Sequence, residues 1–146
     1  MKLYPFATRC ILLALGVIVP AQASDEVDLV RHMATLQYMS HKANLAVEAR
    51  NKPLANFYVH EIEEIIEDLE TVETFDGYAI GTLVKKLLTP SFEALEDSVK
   101  AGNWEAADED FDKLVASCNS CHKTTDHGYI HIVRSSVNPF MQSFPD

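Results

Sequence analysis

The sequence predicts an all-α fold, an antiparallel four-helix bundle, and three observations predict it. Apolar residues recur at three- and four-residue steps through four successive stretches, the spacing that lines one face of a helix. Helix punctuation falls between them, with Asn51-Lys52-Pro53 opening one stretch and Gly102-Asn103 closing one and opening the next. The strand-helix-strand alternation of an α/β protein is missing from the pattern.

Residues 1–23 read as a secretory signal peptide. Lys2 and Arg9 flank the start of a short apolar run from Ile11 to Val19, and Ala21-Gln22-Ala23 supplies the small residues of a cleavage site. The run is too short to span a bilayer, so the expectation is a mature chain from near Ser24 with no membrane insertion, exported to the periplasm. Residues 24–128 then suit one domain around one core. The full chain carries 12 Lys and Arg against 22 Asp and Glu, a net charge of −10. Losing Lys2 and Arg9 makes the mature chain more acidic still. That balance disfavours nucleic acid and anionic lipid, and it favours a partner protein with a basic docking surface.

From Asp25 to about Arg50, Leu29, Met33, Leu36, Ser40, Ala43 and Val47 form one helical stripe, with Met39 and His32 at its margin. Val30, Tyr38, His41 and Leu45 make a second, partly apolar face that could meet a neighbouring helix or a second subunit in a homodimer. Asn51 caps the second helix and Pro53 fits its first turn. Leu54, Tyr58, Ile62, Ile65, Leu69 and Val72 point inward, and the helix should end near Thr74, before Asp76-Gly77. The third runs from about Ile80 to Ala101 with Val84, Leu88, Phe92, Leu95 and Val99 inward. Pro90 predicts a kink or break in it, because proline lacks the backbone donor and crowds the preceding turn. In the last helix Trp104, Ala107, Phe111, Leu114, Val115, Cys118 and His122 share a face, and Gly128 is the expected stop.

The segments Ala49-Arg50-Asn51-Lys52-Pro53-Leu54-Ala55 and Ala101-Gly102-Asn103-Trp104-Glu105-Ala106-Ala107 resemble each other, which reads either as a repeat of one helical hairpin or as shared turn chemistry. Residues 129–146 form a non-helical tail. Tyr129, Ile130, Ile132, Val133, Phe140, Met141 and Phe144 make it too apolar for a free end, while Pro139 and Pro145 oppose helix. It is expected to lie extended over the bundle.

Cys118-Asn119-Ser120-Cys121-His122 carries the chemistry. Two thiols one helical turn apart, followed by an imidazole, match what a covalently attached c-type haem requires: two thioether bonds and one iron ligand. A zinc site would need a second ligand pair. The only other cysteine, Cys10, falls in the signal segment. A redox C-x-x-C motif would sit in a thioredoxin-like pattern, which a helical sequence lacks. One haem c per chain is therefore expected on the last helix, bound by Cys118 and Cys121, with His122 as proximal ligand.

A bundle of this length with C-x-x-C-H in its last helix resembles the class II c-type cytochromes, typified by cytochrome c-prime, over roughly Asp25 to His127. The resemblance implies thioether attachment at Cys118 and Cys121, proximal ligation by His122, and a distal side facing the first helix. In such proteins that side is either blocked by an apolar residue or closed by a methionine. Here the long tail departs from the pattern, and the first helix offers several ligands. Met39 comes first by its distance from the mature start, whereas counting back from the helix end favours Met33; His41 is a third candidate. His32, His60, His127, His131 and Met141 read more simply as surface or propionate-side residues. The expected function is single-electron transfer between periplasmic partners by a protein that is not an enzyme. The alternative is a five-coordinate haem binding carbon monoxide or nitric oxide. Peroxidase-like chemistry would need an acid-base such as His41 on the distal side.

Overall fold

A computed structural model describes residues 28–145. The signal-peptide reading of residues 1–23 lies outside them. The described residues form four helices: α1, Leu29–Glu48; α2, Lys52–Glu70; α3, which passes without interruption through Ile80–Leu83, Val84–Leu88 and Thr89–Ala101; and α4, Trp104–Thr124. The Asp28 carboxylate opens α1 by accepting from the Arg31 N–H at 3.1 Å. None of the helices among the described residues is long and apolar enough to cross a membrane.

The α1–α2 and α3–α4 junctions use the same chemistry. Arg50 and Gly102 both take left-handed backbone, with φ of 56° and 72°. In each case the next asparagine N–H reaches back to the turn below, Asn51 to Ala46 O at 3.0 Å and Asn103 to Ser98 O at 2.9 Å. The asparagine side chains then cap the following helices through Leu54 N–H at 3.1 Å and Ala106 N–H at 3.3 Å. The resemblance between the two segments thus has a local physical cause.

Pro90 does not break α3. Just ahead of it the helix widens into a π turn over Val84–Leu88, and the Thr89 N–H bonds to Val84 O, five residues back. The wider turn gives the proline ring room against the carbonyls that it would otherwise press on. Two helices stop earlier than the sequence suggests. α2 ends at Glu70 because Gly81 of α3 sits against the Glu70 carbonyl, and its own N–H bonds to Val72 O at 2.7 Å. α4 ends at Thr124, where Asp126 rather than Gly128 takes the left-handed position (φ 58°) and the His127 N–H bonds to His122 O at 2.7 Å.

The core lies between two hairpins, α1 with α2 and α3 with α4. Ile62, Leu69, Val84, Leu95, Val99, Phe111 and Leu114 are fully buried in it. Each such side chain stabilises the fold by about 1.5–3 kcal/mol relative to exposure. The α1–α4 pairing is looser than either hairpin, and a cavity opens along it.

Residues 129–145 contain no helix and run from the end of α4 back along α1. Side chains rather than a backbone ladder hold them. Asn119 pairs with both backbone groups of Ile132, at 2.8 and 2.9 Å, and Asn44 donates to Ser135 O at 3.2 Å. Near the far end Gln142 accepts from Tyr58 Oη at 2.7 Å and Lys42 Nζ at 3.0 Å. Phe144 is buried, and Asn51 of the α1–α2 turn donates to its carbonyl at 2.9 Å.

Candidate functional site

The cavity measures about 800 Å³, within the range of roughly 300–1,000 Å³ typical of small-molecule and cofactor sites. Its walls come from three of the four helices, the α2–α3 turn and the tail. α1 contributes Leu29, Val30, Met33, Gln37, His41 and Asn44; α3 contributes Val84 and Leu88 of the π turn; α4 contributes Phe111, Leu114, Cys118, Cys121 and His122; the tail contributes Ile130, Ile132, Val133 and Arg134. Positions three and four apart on a helix share a face, so the spacing of Cys118, Cys121 and His122 places both thiols and the imidazole on the cavity side of α4.

Both thiols are unpaired, Cys121 buried and Cys118 half-buried. Burial, reinforced by Cys121 alongside, pushes the Cys118 thiol up to about 11, and burial raises Cys121 as well. Burial thus favours the protonated thiol at both positions, unlike the lowered thiol of a disulfide exchanger. No group of three or more His, Cys, Asp or Glu that could hold a bare metal ion is gathered among the described residues.

His122 Nδ1 lies 2.8 Å from the Ile130 carbonyl. A carbonyl only accepts, so Nδ1 carries the proton and the neutral ring keeps its lone pair on Nε2. The tail thus fixes the tautomer that a metal ligand needs. On the opposite wall His41 Nε2 lies 3.0 Å from the Val137 carbonyl, and its ring packs edge-on against Phe140 at 5.2 Å. His41 therefore keeps only Nδ1 free, the nitrogen crowded by its own Cβ.

Met33 and His41 share the cavity with Cys118, Cys121 and His122; Met33 and Met39 both pack against the hydrophobic core, but Met39 does not line the cavity. His127 also lines it and donates through Nδ1 to Thr125 O at 2.6 Å. His32 bridges Asp28 O and Asp68 between α1 and α2, His60 pairs with Glu63 and Glu64 on the surface of α2, and Met141 is fully exposed. These three and His131 lie off the cavity.

Two residues outside the motif complete the wall. Arg134 donates to Asn44 Oδ1 at 2.8 Å, to Asp112 Oδ1 at 2.9 Å, and to Asp108 O and Oδ1 at 3.1 and 2.6 Å. Its guanidinium stands 5.2 Å from the Phe111 ring. Tyr78, in the α2–α3 turn, donates to Asp126 Oδ2 at 2.5 Å and so ties that turn to the end of α4. The sequence holds one faint signal for Arg134: it is the single Lys or Arg in an apolar tail that follows acidic helices.

Comparison with protein-family models, with characterised proteins and with solved structures gives no match, so the reading of this site rests on its chemistry and geometry.

Proposed function

We propose that this chain is an exported monohaem c-type cytochrome that carries single electrons between periplasmic redox partners. One observation carries the reading: Cys118, Cys121 and His122 from α4 and Met33 from α1 line one apolar cavity of cofactor size. Each thiol can add across one vinyl group, its sulfur bonding to one carbon and its hydrogen passing to the other, so attachment consumes no oxidant. His122, with Nδ1 committed to Ile130 O, offers Nε2 as the proximal ligand. A bound haem supplies the one-electron chemistry of its iron.

The protein's own share is burial, ligation and orientation. Leu29, Val84, Leu88, Phe111 and Leu114 exclude water and disfavour extra positive charge in the site. Met33 is the favoured second ligand. Met39 is off the cavity, and His41 would have to surrender its bond to Val137 or use its crowded nitrogen. Held by both His122 and Met33, a bound haem would need little rearrangement of the protein between oxidation states, which suits an electron carrier. The same occupied Nε2 weighs against His41 as a peroxidase-like acid-base. Export rests on residues 1–23, and a basic partner rests on the net charge of −10.

The test is the absorption spectrum of the mature holoprotein, oxidised and reduced, with and without carbon monoxide. Electron transfer predicts a low-spin spectrum with a far-red methionine-to-iron band, unchanged by the gas. That band should vanish in Met33→Ala and persist in Met39→Ala. A high-spin spectrum that shifts on adding carbon monoxide would replace this reading with gas binding. A chain without covalent haem would end it.

A further inference from the structure

We propose that the tail is a strap that sets the electron-donating strength of His122, and that Arg134 is the positioning residue that fastens it. The inference rests on the haem reading above and concerns a segment that lies beyond the bundle itself. His122 bonds to the Ile130 carbonyl, which belongs to a stretch with no regular structure, and Ile130 is 43% exposed. Nothing in a helix or sheet fixes that acceptor. The Ile130 N–H reaches only to His127 O at 2.8 Å, so the position of the acceptor depends on what holds the residues after it.

Two fasteners hold them. Asn119, one turn before His122 on α4, grips both backbone groups of Ile132. Arg134 then binds α4 through Asp108 and Asp112 and α1 through Asn44, with its side chain only 19% exposed. Its planar fork makes four hydrogen bonds to the bundle, more than any other residue of the tail. Beyond it the strap crosses to α1, where the Val137 carbonyl takes His41 Nε2. One non-helical segment therefore holds an imidazole on each wall of the cavity.

A carbonyl that accepts from Nδ1 raises the basicity of a ligating imidazole and so favours the ferric state. Loosening the strap weakens that bond and shifts the balance toward ferrous. In holoprotein carrying Arg134→Gln, exchange of the His122 Nδ1 proton, followed by NMR in the reduced state, should accelerate at least tenfold. At the wild-type midpoint potential the ferrous-to-ferric ratio should rise about threefold, an upward shift of roughly 30 mV at about 59 mV per decade for one electron. Asn119→Ala, which leaves the charge network intact, should move both readouts in the same direction and serves if Arg134→Gln does not load haem. Gln142→Ala frees only the far end of the tail from Tyr58 and Lys42, and should move neither.

Unchanged proton exchange and midpoint in Arg134→Gln or Asn119→Ala holoprotein would overturn the strap while leaving the haem reading in place. An equal shift in Gln142→Ala would also overturn it, because general loosening would then explain the effect. A wild-type chain with no attached haem would overturn both.

Discussion

Asp110→Asn tests how the hairpin that presents the C-x-x-C-H segment is held together. Asp110 is 7% exposed on α4 and accepts from Ser98 Oγ of α3 at 2.6 Å and from Lys113 Nζ at 2.7 Å. Lys113, then Ser98, hold its carboxyl below the ordinary 3.8. Hydrogen bonds to a charged group contribute roughly 1.5–3 kcal/mol each. The Lys113 side chain is 62% exposed, however, so solvent reduces its part to about 0–1 kcal/mol. The amide keeps an acceptor for Ser98 and loses the charge. The expected destabilisation is about 1–2 kcal/mol at neutral pH. The folded pKa lies below the unfolded one, so this stabilisation is complete above the unfolded value and disappears as pH falls through the folded value. Urea unfolding followed by circular dichroism should therefore show a constant gap between wild type and variant from about pH 7 to about pH 5, narrowing as pH falls past the ordinary carboxylate value of 3.8 and disappearing only below the lowered folded value. A gap of the same size at both ends would refute the argument, because it would have to come from packing.

Gly81→Ala should cost about 2–3 kcal/mol, since the new Cβ would press on the Glu70 carbonyl and stand 2.9 Å from Val72 O, both backbone atoms that cannot step aside; an unchanged melting temperature would contradict the close approach of α3 to the end of α2. Arg50→Gly should stabilise the fold by about 0.5–1 kcal/mol by relieving left-handed strain at φ 56°, and thermal unfolding that shows a loss instead would point to a contact of the Arg50 side chain. Electron exchange with a basic partner protein should slow as salt shortens the screening length from about 10 Å at 0.1 M to about 3 Å at 1 M. A rate independent of ionic strength would remove charge steering from the proposal.

The four helices were legible because their signals are local. Val84, Leu88, Phe92, Leu95 and Val99, a single stripe in the sequence, are all buried, and Asn51 and Asn103 cap where their residue type and place suggest. Boundaries were less legible. α2 and α4 stop early because Gly81 crosses the end of one and Asp126 reverses the chain after the other, and neither event leaves a periodic trace. Pro90 predicts a kink or a break, whereas the helix continues through it by way of a π turn at Val84–Leu88, a segment that also packs against α4.

Cys118, Cys121 and His122 share a face by helical arithmetic, and the sequence alone determined that much. Tertiary structure decided the rest of the cavity. Met33 and Met39 both pack against the core, and only the rotation of α1 against α2 and α4 puts Met33 on the cavity and leaves Met39 off it. The protonated nitrogen of His122 is chosen by a carbonyl eight residues away in a segment with no secondary structure. Arg134 joins Asn44 of α1 to Asp108 and Asp112 of α4 across separations of 90, 26 and 22 residues. Periodicity records what a residue does within its own helix; a contact between elements far apart in the chain depends on how they pack, and that information exists only in three dimensions.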